Sequence, residues 1–257
     1  MNLDNRLKEI VELLGKVKIV VDVGCDHGYV ANYLIENNLS DLVYATDISK
    51  DSLGKNREYS ARRNNEDRVI SLVGDGLNPV KDKEFNGVII AGMGGELIIK
   101  ILDDSKDIID DKILVLQPMT ASKELRKYLL ENGFKIITES IVKDKNKFYE
   151  IIKATTGKSS GSKYSYYFGE NLIEECDDTL IEYIENLLEK NKSFLIEAQK
   201  SKIEKGRERV KKLKEEIEFY EVIINGCKSK RNNRSYWKYS SCRTPRVLGQ
   251  FRFANWR

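Results

Sequence analysis

Apolar and polar residues alternate in two patterns over the first 155 positions. Short β-branched runs, typical of buried strands, are separated by stretches whose apolar residues recur three and four positions apart, as in amphipathic helices. The runs are residues 18–23, 43–46, 69–73, 87–91 and 113–116, and the helical stretches are 3–14, 29–36, 50–63, 96–102 and 122–131. This alternation predicts a parallel sheet covered by helices, which is a doubly wound α/β domain.

The pattern changes in the second half of the chain. Residues 134–142 and 148–155 are predicted to form a closing antiparallel strand pair, and the Gly- and Ser-rich segment 156–165 is predicted to be a linker. Apolar residues then recur at helical spacing in 184–198 and 210–224, which favours an antiparallel coiled-coil hairpin, with one long helix as the alternative. The sequence therefore predicts an α/β domain at residues 1–157, a coiled-coil helical domain at 158–225 and a tail at 226–257.

Charge sets the predicted tail apart. It holds nine Lys and Arg residues, no acidic residue and both tryptophans, whereas residues 1–225 hold 35 basic against 41 acidic residues, a formal charge of −6. A basic and aromatic arm can contact the phosphates of a nucleic acid and stack on its bases. The alternative is that the tail is foreign to the natural fold or disordered. Any nucleic-acid contact on the folded part must be a local patch, because the overall charge does not supply one.

Several classes of protein are disfavoured by what the sequence lacks. No apolar run approaches the roughly 20 residues that span a bilayer, and the charged N-terminal segment has no signal-peptide core. The four cysteines show no CxxC spacing and the chain has one histidine. We expect a cytoplasmic protein without a metal or a membrane partner, and a monomer.

The turn after the first strand carries the strongest local motif, VDVGCDHGY at residues 21–29. Gly24 and Gly28 allow the backbone to approach a nucleotide-like ligand at the carboxyl edge of the sheet. Asp26 replaces the middle glycine of the dinucleotide pattern, which is compatible with a ligand that lacks a pyrophosphate and argues against NAD. Asp22 is placed to pair with a cationic amine. The alternative is a tight strand–helix turn that binds nothing.

The next two strands also end in acidic residues. Asp47 is placed to hold ribose hydroxyls or, alternatively, to cap the following helix. Asp75 and Gly76 are placed to read an adenine amino group or, alternatively, to form an ordinary turn. Three acidic turns on three successive strands favour a cofactor that contains ribose and adenine.

Strands four and five end in the motifs IIAGMGGELI and LQPM. Gly92 and Gly94 are expected to bring backbone close to the reactive end of the cofactor, with Met93 as an apolar wall. Gln117 and Pro118 offer an amide and a rigid backbone at the same edge. The alternatives are tight strand–helix packing for the glycines and a strand terminator for the proline.

The motifs VDVGCDHGY, IAGMGGELI, LVLQP, ELRKYLLENGFKI and KFYEII resemble those of the bacterial tRNA adenine-N1 methyltransferases that act on adenosine 22. The resemblance covers residues 1 to about 225 and implies a Rossmann-like class I methyltransferase domain with a C-terminal coiled-coil hairpin. It also implies S-adenosyl-L-methionine as cofactor and tRNA as partner. One departure is Met119, which stands where the family is expected to have Asn.

The resemblance implies roles for the motif residues. Asp26 is expected to stabilise the positive charge that develops on the base, and Tyr29 to position or stack it; the alternatives are a helix cap and core packing. Gln117 and Pro118 are expected to bind substrate. The residues expected to bind the cofactor are Asp22, Gly24, Cys25, His27, Gly28, Asp47, Ile48, Asp75, Gly76, Gly92, Met93 and Gly94.

Other functions fit the same cofactor turns. A methyltransferase with a small-molecule or protein substrate fits them equally well, and only the family resemblance selects tRNA. A module that binds the cofactor or RNA without catalysis is a further alternative. A nicotinamide oxidoreductase is disfavoured by Asp26 and by the closing hairpin.

Overall fold

The computed structural model describes residues 3–158, 163–200 and 204–239, with side chains at 3–158, 165–200 and 206–230. The chain divides into two compact units, Met1–Tyr183 and Ile184–Arg257. The strands are β1 Ile19–Val23, β2 Leu42–Asp47, β3 Val69–Val73, β4 Gly87–Gly94, β5 Ile113–Thr120, β6 Phe134–Asp144 and β7 Lys147–Thr156. The α-helices are α1 Asn5–Leu14, α2 Tyr29–Glu36, α3 Lys50–Arg62, α4 Gly95–Asp103, α5 Ser122–Glu131, α6 Glu170–Glu175, α7 Asp178–Gln199 and α8 Glu204–Tyr239, with 3-10 turns at Asn78–Val80 and Lys163–Tyr166.

The first unit is built on one seven-stranded sheet in the order β3-β2-β1-β4-β5-β7-β6. Strands β1 to β5 pair in parallel, and β7 is inserted antiparallel between β5 and β6. The predicted α/β class and the antiparallel closing pair are confirmed. The chain reverses its direction of travel across the sheet between β1 and β4, so their carboxyl ends form the crevice in which such sheets bind ligands.

Both faces of the sheet are covered by apolar helices. Alternate strand residues point to opposite faces. On one face Val21, Val88 and Leu114 pack in a cluster with residues of α4 and α5. On the other, Val20 and Val115 pack in a cluster with residues of α1, α2 and α3. Burial on both faces explains why the strands are continuous apolar runs in the sequence.

Strands β4 and β5 are longer than predicted. The glycines after Ala91 disfavour a strand by composition, yet Met93 pairs with Pro118 and Gly94 with Thr120, with register shifts around Met93. The irregular ends of β4 and β5 therefore lie at the carboxyl edge of the sheet, with the candidate motifs.

The first unit extends beyond the predicted boundary at residue 157. Phe168 is buried, Asn171 donates to the Glu139 carbonyl oxygen at 2.8 Å, and the Tyr183 hydroxyl donates to Glu150 at 2.8 Å. These contacts attach residues 165–183 to β6 and β7. Residues 159–162 of the predicted linker lie outside the described residues.

The second unit contains a helical hairpin. Lys192 pairs with Glu221 at 2.8 Å and Lys228 with Glu185 at 3.1 Å, so residues early in α7 face residues late in α8, as in an antiparallel pair. Helix α8 continues past residue 226, the predicted start of the tail, to Tyr239, and residues 240–257 lie outside the described part of the chain. No helix among the described residues is both long and apolar enough to cross a membrane.

Candidate functional site at the carboxyl edge of the sheet

The turn after β1 packs tightly against the end of β4. Gly24 has a φ of 76°, and its amide donates to the Thr46 carbonyl oxygen at 2.8 Å. A Cβ at this position would overlap the Cε of Met93. The positive φ favours glycine here, and the Met93 methyl group occupies the space where a side chain would begin. The two predicted motifs of β1 and β4 therefore meet in the structure.

Gly28 begins helix α2 in a left-handed conformation, with a φ of 72° and no side-chain cap. A Cβ there would overlap the amide of Asn56, which is buried and donates to the Ser71 hydroxyl at 3.3 Å. Asp26 does not cap α2, so the structural alternative for this carboxylate is excluded and its side chain remains 53% exposed.

Three side chains of the β1 turn form an exposed row. The Asp26 Oδ2 lies 2.6 Å from His27 Nδ1. The His27 ring stacks on Tyr29 with centroids 5.2 Å apart, and Tyr59 meets Tyr29 edge to face at 5.3 Å. Tyr29 is 42% exposed, so it does not serve as a core residue. The row presents a carboxylate beside an aromatic ring.

Asp22 is a buried carboxylate at the crevice between β1 and β4. Burial raises the pKa of Asp22 to about 6; a hydrogen bond with Cys25 lowers it, and the negative charge of Asp47 raises it. Burial also raises the pKa of the Cys25 thiol, and Asp22 adds to that effect. A buried negative charge without a cation is unfavourable, which suits a site that receives a cationic group.

The raised pKa of Asp22 predicts a pH-dependent effect on stability. The folded protein holds this proton up to about pH 6, whereas the unfolded chain releases it near the ordinary aspartate pKa of 3.8. The free energy of unfolding therefore decreases as pH rises from about 4 through 6. Above pH 6 the total decrease from this group is about 3 kcal/mol. We expect Asp22→Asn to be more stable than the wild type at pH 8, with the difference shrinking towards pH 4. Urea unfolding of both proteins at pH 8 and at pH 4 measures the difference in stability. An equal difference at the two pH values would contradict the prediction.

The end of β2 places Asp47 beside an exposed apolar side chain. Asp47 Oδ1 accepts from the Ser49 amide at 2.7 Å, and Ser49, not Asp47, caps α3. Ile48 is 74% exposed. The capping alternative for Asp47 is thereby excluded. A carboxylate next to an exposed aliphatic surface suits a ligand with hydroxyls on one part and a flat apolar ring on another.

The end of β3 is tied to the same edge. The Thr46 hydroxyl donates to the Gly76 carbonyl oxygen at 2.9 Å, so Thr46 links the turns of β1 and β3. Asp75 is exposed. Beside it, Gly76 and Leu77 line a shallow pocket together with Leu97 and other residues of α4 and the segment after it.

Gln117 lies inside the protein at the end of β5. Its side chain is fully buried; Oε1 accepts from the Gly92 amide at 3.1 Å and from Arg6 Nη1 at 2.9 Å, while Nε2 donates to the Pro118 carbonyl oxygen at 2.8 Å. Both ends of the amide are used inside the protein, which fixes its orientation. Gln117 therefore positions Gly92 and Pro118, and contact of Gln117 and Pro118 with a substrate stays a prediction. Met119, at the expected Asn position, is exposed.

Sequence reasoning missed Arg6, Thr46 and Asn56. Each acts through contacts between distant parts of the chain, and none belongs to a motif. In the part of the chain that the structure describes, no group of three or more His, Cys, Asp or Glu side chains is arranged to hold a metal ion.

Residues 3–152 match the family model described as a methyltransferase domain. A putative tRNA methyltransferase of Mycoplasma genitalium is 36% identical over 137 residues, 52% of this chain and 61% of that protein, which is less than two thirds of its length. A putative tRNA methyltransferase of Mycoplasma pneumoniae is 30% identical over 179 residues, 67% of this chain and 82% of that one. The tRNA (adenine(22)-N(1))-methyltransferase of Bacillus subtilis is 24% identical over 233 residues, 88% and 98% of the two chains.

Solved structures show the same fold. The tRNA methyltransferase TrmK of B. subtilis has a TM-score of 0.79 at 24% identity, covering 87% of this chain and 99% of that one. TrmK of M. capricolum, in complex with S-adenosyl-homocysteine, has a TM-score of 0.76 at 22% identity, covering 88% and 99%.

The strand order is that of a Rossmann-like methyltransferase fold. The chain belongs to the methyltransferase-domain family. The resemblance to the tRNA adenine-N1 methyltransferases is confirmed by the relative that carries that name.

Proposed function

We propose that this protein transfers the methyl group of S-adenosyl-L-methionine to N1 of adenosine 22 in tRNA. The observation that carries the proposal is the convergence of the β1 turn, Asp47 and Asp75 at one sheet edge, in a chain that aligns over 98% of the B. subtilis enzyme of that activity. The cofactor supplies a methyl group on a positively charged sulfur. We also propose that the enzyme works in the cytoplasm and as a monomer.

The residues at this edge fit that cofactor. Buried Asp22 suits the α-ammonium group, and Asp47 suits the ribose hydroxyls. Exposed Ile48 suits the face of the adenine ring, and exposed Asp75 suits its amino group. Cys25, His27 and Gly28 belong to the β1 turn, whose backbone is proposed to contact the rest of the cofactor.

The residues facing the substrate suit an attack by a neutral nitrogen. Adenine N1 has a lone pair, so the transfer needs alignment of the reactants more than a strong base, and alignment supplies about 7–11 kcal/mol of a barrier in favourable cases. The product is a cation. Asp26 offers a carboxylate and Tyr29 an aromatic face, and both stabilise a positive charge.

N1 lies on the Watson–Crick edge, so the base must leave its pairing to be methylated. A folded tRNA is recognised mainly through its shape and phosphates. Arg57, Arg62 and Arg68 are exposed on and near α3 and are our candidates for backbone contacts. Arg63, in the same sequence cluster, is held in an ion pair by Glu36 and is therefore engaged within the protein.

The role of Asp47 gives a direct prediction for cofactor affinity. Asp47→Ala is expected to weaken the binding of S-adenosylhomocysteine about tenfold or more, because hydrogen bonds to a charged group are lost. Asp51→Ala, an exposed carboxylate in the first turn of α3, is the matched control and should bind normally. Calorimetric titration measures both, and an unchanged affinity of Asp47→Ala would exclude contact with the ribose.

The proposed activity is tested by methyl transfer from labelled S-adenosylmethionine to unmodified bacterial tRNA, followed by nucleoside mass spectrometry. We expect 1-methyladenosine, absent when adenosine 22 is replaced. Cofactor binding with no methylated tRNA would overturn the substrate assignment and favour a small-molecule or protein acceptor, or a binding module without catalysis.

A further inference from the structure

The turn between β6 and β7 lies at the same edge of the sheet as the candidate cofactor motifs. Strand β7 runs antiparallel to β5, so its first residues lie beside the carboxyl end of β5. Two contacts agree with this placement. The side-chain amide of Asn5 donates to the Lys143 carbonyl oxygen at 3.4 Å, and the next residue of α1, Arg6, donates to Gln117 at 2.9 Å. The turn therefore lies close to the crevice between β1 and β4, on its β5 side.

This turn, residues 143–147, is basic. It holds three lysines and one acidic residue, and all three lysines are exposed. Lys143 is engaged within the protein, since it forms an ion pair with a glutamate of α7. In the part of the chain whose side chains the structure describes, Lys145 and Lys147 take part in no ion pair, although Asp144 is opposite Lys147 in the strand register. Two cations at the tip of the turn are therefore available to a partner.

Lys145 has a backbone conformation that lysine rarely adopts. It is the first of the two residues between β6 and β7, and its φ is 54°. Hairpin turns of two residues usually place Gly, Asn or Asp at positions with positive φ, because other side chains are strained there. The stability of the turn does not account for a lysine at this position. Strained residues of this kind cluster at functional sites.

The position of the turn favours a nucleic-acid backbone as its partner. Strand β7 lies two positions from β4 in the sheet, which is roughly 10 Å at a spacing of about 4.8 Å. A nucleotide held in the crevice has neighbours along its strand, and a few of them cover this distance. A small molecule held in the crevice does not extend so far. Exposed lysines act as point charges that suit phosphates.

We propose that Lys145 and Lys147 bind phosphates of the tRNA backbone close to the target nucleotide. The inference rests on the proposed function, which supplies the tRNA. Phosphate contacts fix the position and orientation of a nucleic acid without reading its sequence. The turn therefore positions the tRNA at the edge of the sheet, and the selection of the base is left to the residues of the crevice.

Lys145→Gly is the most informative variant, because it removes the charge and suits the left-handed φ of the turn. We expect it to melt at the wild-type temperature or above it, and to bind tRNA about twofold to fivefold more weakly. Adding Lys147→Ala should weaken tRNA binding about tenfold in total. The slope of log affinity against log salt concentration should fall by about one unit for each lysine. Filter binding at several salt concentrations measures both quantities.

The double variant should raise KM for tRNA and leave both kcat and the affinity for S-adenosylhomocysteine unchanged. Lys145→Arg keeps the charge in the same backbone conformation and should bind tRNA like the wild type. Lys135→Ala removes an exposed charge near the other end of β6 and should alter neither tRNA affinity nor its salt dependence.

Several results would overturn the proposal. Weaker tRNA binding with an unchanged salt slope, or a loss of cofactor affinity, would make the turn a structural support of the site. Unchanged tRNA affinity in the double variant, beside a wild type that methylates tRNA, would exclude the phosphate contacts and leave the proposed function intact. Failure of the wild type to bind or methylate tRNA would remove the proposed substrate and this inference together.

Discussion

Arg126→Met is expected to lower the free energy of unfolding by about 3–5 kcal/mol, a large fraction of the stability of a typical domain. Arg126 is 1% exposed; its Nε donates to Glu139 and its Nη2 to Glu150, both at 2.6 Å. Methionine keeps the apolar contacts of the stem but leaves two carboxylates buried without a cation. Burial already raises the pKa of Glu139 above its ordinary value, and Arg126 opposes that effect.

Urea unfolding at pH 7 measures this loss, with Lys127→Met on the exposed side of the same helix as the control. The loss should shrink at lower pH, where the Glu139 carboxylate, whose pKa is raised by burial, takes up a proton. Adding Glu139→Gln and Glu150→Gln to Arg126→Met should recover part of the stability, because the uncompensated charges are then gone. A loss below about 1 kcal/mol would show that the cluster is not the buried ionic network that its geometry indicates.

Asp26→Asn is expected to reduce kcat about a hundredfold while leaving the affinity for S-adenosylhomocysteine nearly unchanged. In the proposed role the carboxylate stabilises positive charge that develops on the base in the transition state, and removing one such group typically costs about 10²–10³ in rate. Its side chain is exposed, pairs with His27 and does not cap α2, so the amide should not disturb the fold.

Single-turnover methyl transfer at saturating cofactor separates the rate of the chemical step from binding. Asp82→Asn, an exposed carboxylate far along the chain, is the control for a general loss of negative charge. A large loss of cofactor affinity in Asp26→Asn would place Asp26 among the cofactor-binding residues instead. An unchanged kcat would exclude a catalytic role.

The strands and helices of the first unit follow from the sequence because each buried parallel strand is a continuous apolar run bounded by amphipathic helices. The β1, β2 and β3 motifs could be assigned to one edge because parallel strands end together. The inward orientation of Gln117 could not be predicted, since it depends on Arg6, 111 positions away, and on the Gly92 amide. Contacts of this kind leave no local pattern.

The alternatives for the aspartates show a different limit. Aspartate is favoured both at helix N-caps and in ligand-binding turns, so the sequence allows either interpretation for Asp26 and Asp47. The structure assigns the cap positions to Gly28 and Ser49. Removing the capping role strengthens the functional interpretation of both carboxylates, which the variants described above test.

The contacts of residues 165–183 with the sheet determine how a minimal catalytic fragment must be designed. Glu139 Oε2 lies against Gly169, where a Cβ would overlap it, and Tyr183 caps the other end of the ionic cluster at Glu150. A fragment cut at residue 157 would open a charged interior to water. An expression fragment that ends no earlier than Tyr183 keeps that interior closed, and it is the shortest version we would use to screen for inhibitors or to crystallise the cofactor site.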